Sequence, residues 1–333
     1  MYTLAGLFPE RPQGEYDWSG LLPGDTSDTL WQGTLRYSRM PRIINPETGY
    51  VQNANDPPWT ATWPSELDPA DYPPDFPGLV LGPRAVRSLE MIMSRESFSF
   101  KDVMADKFST HSRLADQVLD ALITAAGEAG NPLAQEAAEV LANWDGNFDA
   151  DSPGTLLFVF WAMQFQPGIL AGKHFSEEVY AVPADPARPF DTPRGLADPV
   201  AAVTALEAAA KQVQALFGSL EVPWGEFARF RLGDEDLPAF AAPSAAFGLF
   251  VPNDMVQQPD GRLTTVAGDS WVAVIEFSDP VRAVAVMPYG NATQPGSSHL
   301  ADQLPLYASK KYRPIWRTLT EIEDNLEMRE RFE

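Results

Sequence analysis

The chain has 333 residues, 44% hydrophobic and 21% charged, which is enough apolar material for one large core or two modest ones and too much for an intrinsically disordered chain. Its 24 Lys and Arg against 46 Asp and Glu give a formal net charge of −22. Without a basic stripe to neutralise phosphates, nucleic acid and anionic membrane surfaces are disfavoured as partners. There is no Cys, which removes disulfides, thiolate zinc sites and cysteine nucleophiles, and the three His, His111, His174 and His299, disfavour a His-rich metal centre.

In chain order, Met1 to Phe8 reads as a strand entered partway, with no basic leader before it and no small-residue cleavage pattern after it. Residues 1–83 are rich in Pro, Gly, Trp and Tyr. The prolines from Pro57 through Pro64, Pro69, Pro73, Pro74 and Pro77 forbid a long helix, so this is a strand-and-loop region, with Tyr50 to Gln52 as a short strand. Residues 84–220 are mainly helical. Val86, Leu89, Ile92, Val103, Leu114, Val118, Leu122 and Ile123 recur at helical spacing, Gly127 and Gly130 interrupt them, and Asn131-Pro132 opens another helix. His111 is placed on one of these helices. Leu156 to Phe165 is apolar on all sides and reads as a buried helix, at about half the ~20 residues of a membrane span. Pro199 to Phe217 is an amphipathic helix. Residues 221–333 return to strands at Phe227–Arg231, Trp271–Phe277 and Ala283–Met287, then end in a charged helix from about Thr320. Strands, then helices, then strands indicate an α+β fold, with first and last segments sharing a sheet.

Standard catalytic signatures are absent: no G-x-S-x-G elbow, H-E-x-x-H, P-loop or dinucleotide fingerprint. Asp145 to Asp151 alternates carboxylates and an amide like a calcium loop, but Ala150 and Leu156 stand where Gly and Glu are required; a capping turn is the simpler reading. Ser298-His299 are neighbours in sequence, which is a poor geometry for a dyad, and His299 with Asp302 reads as a turn before a helix. The informative stretch is Asn45 to Trp59. There Asn53 and Asn55 alternate onto one face before Pro57 and Pro58 stiffen the chain. Such an amide either caps a turn or donates to an oxyanion.

That stretch resembles the oxyanion-hole segment of the penicillin acylase family of N-terminal nucleophile hydrolases. Further landmarks follow in the family's order: Pro83-Arg-Ala-Val-Arg87, Trp144-Asp-Gly, Asp151-Ser152, Val222-Pro-Trp-Gly225, Arg229 with Gly233-Asp234 and Leu237-Pro238, Gly268-Asp-Ser-Trp271, Glu276-Phe-Ser-Asp-Pro280, Tyr289-Gly290, Gly296-Ser-Ser-His299 and Asp302-Gln303. The wording around Asn53 to Trp59 is most similar to the acyl-homoserine-lactone and aculeacin acylase branch.

The resemblance implies a partial αββα sandwich with a helical insertion and its N-terminal strands missing, the three stretches being parts of one catalytic subunit. It implies hydrolysis of an N-acyl amide (acyl-homoserine lactone, lipopeptide or penicillin type) by an N-terminal Ser whose own α-amine is the base. Asn55 is expected to donate to the oxyanion and Arg87 to be a fixed cation beside it, with a structural salt bridge as the alternative for Arg87. Trp31, Leu35, Asn53 and Trp59 are the expected substrate contacts. Because Met1-Tyr2 offers no such nucleophile, the chain is expected to be the C-terminal part of the β subunit and inactive alone. Its partners are then the α subunit and the N-terminal part of the β subunit, without which strand edges and apolar faces stand uncovered. No metal ligand is assigned and no cofactor is expected. The resemblance leaves a structural calcium to upstream residues, and implies a periplasmic or secreted location. The competing readings are a catalytically silent acyl-binding or scaffold protein of the same descent, and an acidic surface-binding module using Trp18, Trp31, Trp59 and Trp63.

Overall fold

Two compact units divide the chain between Ser94 and Arg95 in the structure, a computed structural model that describes residues 1–331 apart from 5, 13, 15, 19 and 80.

In the first unit, prolines keep the backbone in short turns. Three one-turn 3₁₀ helices occur at Tyr37–Arg39, Pro58–Thr60 and Pro69–Asp71. The two strands, β1 (Tyr2–Thr3) and β2 (Arg42–Ile43), pair antiparallel with each other. Packing comes from aromatic rings around the buried Trp59, which meets Tyr72 and Phe76 at 5.1 and 6.4 Å between centroids. Phe8 stacks on Phe76 at 4.5 Å. The helix α1 (Pro83–Met93) starts with Pro in its first turn, where the missing N–H costs nothing, and buries Ala85, Val86, Leu89 and Met91. Tyr50 to Gln52 is not a strand, contrary to expectation. Gln52 N–H donates to Ala61 O at 2.9 Å, but Pro57 and Pro58 follow and the chain turns back, so no ladder extends.

The second unit begins with α2 (Phe100–Lys107), α3 (Arg113–Glu128) and α4 (Pro132–Ala142), whose N-caps are Ser99, Ser112 and Asn131. Between them, His111 lies outside any helix, in an isolated bridge to Asn147, because Ser112 caps α3 one residue later. Next come α5 (Thr155–Phe165), buried at every position from Thr155 to Ala162, and α6 (Pro199–Phe217), which opens at Asp198 and closes at Gly218 with φ 77°. One-turn helices α7 (Trp224–Phe227) and α8 (Ser244–Phe247) flank the first strands.

Strands β3 (Ala228–Leu232), β4 (Glu235–Pro238), β5 (Asn253–Gln257) and β6 (Leu263–Gly268) form a sheet in the order β4-β3-β6-β5, with β3 and β6 parallel and the other pairs antiparallel. A second, antiparallel sheet follows the order β7 (Val272–Glu276), β8 (Arg282–Val286), β9 (Arg313–Pro314). The short α9 (Leu304–Ala308) and α10 (Leu319–Asp324) complete the unit. The aromatic core runs through Phe148, Phe158, Trp161, Trp224 and Phe247 and on to Phe240 and Tyr307, all fully buried.

The expected strands at 227–231, 271–277 and 283–287 match β3, β7 and β8. A sheet shared by the first and last segments does not appear among the described strands. Among the described residues of the first segment only two-residue strands form, and they pair with each other. Strand β7 is an edge, and Trp271, Ile275 and Phe277 on or beside it are exposed.

Candidate functional site

The hydrogen bonds of the turn from Asn53 to Asp56 together determine where Asn55 points. Asn53 spends both ends of its amide on the turn: Oδ1 accepts from Asn55 N–H at 3.0 Å, and Nδ2 donates to Asp56 O at 3.0 Å. Asn55 itself adopts φ 65°, a left-handed conformation that Asn tolerates better than most residues. From the first turn of α1, Arg84 Nη1 donates to Ala54 O at 2.9 Å and to Asn55 Oδ1. With Oδ1 engaged by a guanidinium, the exposed Asn55 side chain keeps Nδ2 as a donor, and among the described residues no acceptor meets it.

Asp56 lies at the base of the turn. Its Oδ1 accepts from Ala54 N–H at 2.5 Å, while Oδ2 accepts from Gln52 Nε2 at 3.1 Å and from the Thr60 hydroxyl. Gln52 is buried, and its Nε2 also donates to Thr60 O at 2.6 Å. Burial pushes the Asp56 carboxyl above the usual range, outweighing the donors and the nearby Arg84 charge, which favour the anion. The Tyr2 hydroxyl is pushed up in turn, by its own burial and then by the Asp56 charge.

The other predicted residues are dispersed. Arg87, one turn along α1 from Arg84, reaches Glu90 at 3.8 Å. Trp59 is 1% exposed and donates its indole N–H to Pro77 O at 2.7 Å, which makes it core. Trp31 is 64% exposed and Leu35 half-buried. A cleft in the same unit is lined by Arg11, Tyr16, Trp18, Pro74 and Phe76, and by none of Trp31, Leu35 or Trp59.

Two residues that sequence reasoning missed, Arg84 and Asp56, hold this turn. Arg84 and Arg87 both fall in the quoted stretch Pro83-Arg-Ala-Val-Arg87, and three-residue spacing puts both on one helix face. No local pattern in the sequence signals these contacts, which form only when the loop folds against the start of α1.

Outside this turn, the remaining candidates are structural. His299 Nδ1 lies 2.8 Å from Asp302 Oδ2 and its Nε2 3.2 Å from Glu327 Oε2. These carboxylates raise its pKa, Asp302 foremost, and occupy both nitrogens, as in an ion-paired turn. His111 Nε2 pairs with Asp116 Oδ1 at 2.8 Å. In the Asp145 to Asp151 segment, Asp145 accepts from both Asn147 nitrogens, and Asp149 from Thr110 and Lys310, so both carboxylates hold a turn. Among the described residues there is no group of three or more metal-ligating side chains, and no helix is long and apolar enough to cross a membrane.

The chain is similar to known acylases. It is 26% identical over 315 residues to the acyl-homoserine lactone acylase PvdQ of Pseudomonas syringae pv. syringae (strain B728a), covering 89% of this chain and 39% of the relative. It is 31% identical over 147 residues to the penicillin acylase 2 proenzyme of Pseudomonas sp. (strain SE83), covering 43% of this chain and 17% of that one. The chain thus spans about two fifths or less of the length of these relatives. Its α+β fold is similar to that of the thermostable penicillin G acylase from Alcaligenes faecalis, an N-terminal nucleophile hydrolase fold, with a TM-score of 0.57 and 18% identity over 99% of this chain and 65% of that one. Residues 1–324 match the sequence model described as penicillin amidase, and the chain belongs to that family.

Proposed function

We propose that this chain is the part of an N-acyl amide hydrolase that supplies the side-chain donor of the oxyanion hole, acting with an N-terminal Ser nucleophile carried by polypeptide outside the 333 residues. The observation that supports this is the Arg84 guanidinium on Asn55 Oδ1, which leaves Nδ2 as the group presented outward. In the reaction, the Ser hydroxyl gives its proton to its own α-amine and attacks the amide carbonyl. Negative charge collects on the carbonyl oxygen, Asn55 Nδ2 stabilises it, and the α-ammonium gives its proton to the departing amine; the freed α-amine then takes a proton from the water that releases the acid from the acyl-enzyme. The cation role that the family resemblance gives to Arg87 fits Arg84 better on this geometry, with Arg87 paired to Glu90. Asn53 acts as a turn holder and Trp59 as core, leaving Trp31 and Leu35 as acyl contacts. The substrate is an N-acyl amide such as an acyl-homoserine lactone or a penicillin, the classes named for the relatives, and the enzyme works in the periplasm or outside the cell. The exposed row on β7 suits coverage by the partner polypeptide.

The test is release of acid from a panel of acyl-homoserine lactones and penicillin V, by this chain alone and then mixed with the α subunit and N-terminal β segment of a related acylase. Hydrolysis is expected only in the mixture, with Asn55→Ala lowering kcat roughly 10²- to 10³-fold, about 3–4 kcal/mol. Hydrolysis by the chain alone would place the nucleophile inside it and overturn the mechanism. No hydrolysis in either arm would favour a silent acyl-binding protein.

A further inference from the structure

We propose that Asp56 is a positioning residue for the oxyanion donor: its carboxylate gathers three protein donors beneath the turn and thereby fixes the direction in which Asn55 presents its amide. The inference rests on the reading of Asn55 given above and extends it to a residue that would not touch substrate.

The argument is geometric. The direction of the Asn55 side chain follows from the peptide planes on either side of it, and both polar groups of the preceding residue are held. Ala54 N–H is taken by Asp56 Oδ1 at 2.5 Å, and Ala54 O by Arg84 Nη1 at 2.9 Å. Ala54 is itself buried. Asn55 N–H is bound to Asn53 Oδ1, so every backbone hydrogen bond that orients this left-handed residue originates in the turn or in Arg84. Asp56 also ties the turn to what lies behind it, through Gln52 Nε2 and the Thr60 hydroxyl on Oδ2.

Only a carboxylate fits that position. It offers acceptor lone pairs on both oxygens, whereas an amide offers one acceptor and turns a donor towards the others. Gln52 cannot rotate to accommodate such a donor without losing its bond to Thr60 O. The charged and titratable groups facing Asp56 are Arg84, which favours the anion, and Tyr2. Burial of an anion this close to the surface is a standing cost, and holding Asn55 in place is what the turn gains from it.

The experiment has two arms. In the first, amide exchange is measured by ¹⁵N NMR on the full 333-residue chain. Asp56→Asn is expected to speed exchange at Ala54 and Asn55 by about tenfold or more, leaving exchange at Leu89 in α1 unchanged. Unchanged exchange at both amides would overturn the inference. If Asp56→Asn fails to fold, Thr60→Val and Gln52→Leu remove the donors singly. Each should accelerate the same two amides by less, and no effect from either would equally overturn it.

The second arm uses the mixture described above. Asp56→Asn is expected to lower kcat about tenfold or more while KM stays within about twofold, since the donor acts on the transition state rather than on bound substrate. A large effect of Asn55→Ala with none of Asp56→Asn would sink the positioning role alone. Insensitivity to Asn55→Ala would sink the oxyanion reading, while the exchange data would still decide whether Asp56 orders the turn.

Discussion

An asparagine amide has two ends, and only one can stabilise an oxyanion. Unconstrained, the Asn55 side chain could present either oxygen or nitrogen, and the wrong end would repel developing negative charge. Arg84 removes that ambiguity by binding the oxygen, and its charge polarises the amide in the useful direction. In the mixture with the complementary acylase segments, Arg84→Met is therefore expected to lower kcat roughly tenfold to a hundredfold, short of the loss expected for Asn55→Ala. Arg87→Met, removing a mostly buried pair to Glu90 at 3.8 Å, should leave kcat near normal. Parallel kinetics on the two variants check this, and a larger loss at Arg87 would return the role to that residue. Asn55 entered as a candidate through the family resemblance, because alternating amides before a rigid Pro-Pro pair fit a capping turn at least as well as a donor. Arg84 and Asp56 did not, since their roles depend on how a loop folds against a helix start.

Helices and strands differed in how readily the sequence revealed them, for physical reasons. Helix α6 carries its own boundaries, with Asp198 capping one end and Gly218 in the left-handed conformation closing the other. Helix α5 has no polar face, and its uniform apolarity signalled burial before its length signalled a helix. Strands β4, β5 and β6 were missed because their residues are not apolar in alternation: Glu235, Asp236, Asn253, Asp254, Thr264 and Thr265 contribute much of them. What holds these strands is pairing, including Arg229 and Arg231 of β3 on Asp236 of β4 at 2.6 and 3.2 Å, and such pairing is invisible to a local pattern. The same contrast predicts where the second unit breaks. Trp161 in α5 is fully buried, meets Phe158 and Phe165 at 5.4 and 5.1 Å, and donates its indole N–H to Ala202 O of α6 at 3.2 Å. Trp161→Ala should cost about 3–5 kcal/mol by denaturant titration, from the cavity and the orphaned carbonyl together. Leu216→Ala, on the exposed side of α6, should cost no more than about 0.5 kcal/mol.

For the molecule as a whole, the net charge of −22 sets opposing trends with pH. Self-repulsion among carboxylates destabilises the folded chain, and protonating acids as pH falls towards about 4 relieves it. Asp56 acts in the same direction. Its folded pKa is raised by burial, so the folded state takes up a proton before the unfolded one, and stability rises as pH falls through that value. Asp236 and Asp260 act in the opposite direction at lower pH. Burial raises Asp236, but bonds from Arg229 and Arg231 outweigh it, and Arg231 holds Asp260 down. Carboxylates with depressed folded pKa contribute stability above the unfolded value of about 4, and lose it as pH drops through the folded one. The thermal midpoint should thus climb modestly as pH falls through the raised folded pKa of Asp56 and fall steeply below about 4. Raising salt from about 0.01 to 0.1 M, which shortens the screening length from about 30 to 10 Å, should raise the midpoint at pH 7. The expected gain is about 2–4 °C, the equivalent of roughly 1 kcal/mol for a unit of this size. Calorimetry across that pH and salt grid decides the matter: a midpoint that falls with salt at pH 7 would mean that ion pairs such as Lys107 with Asp269, at 2.7 Å, outweigh the repulsion.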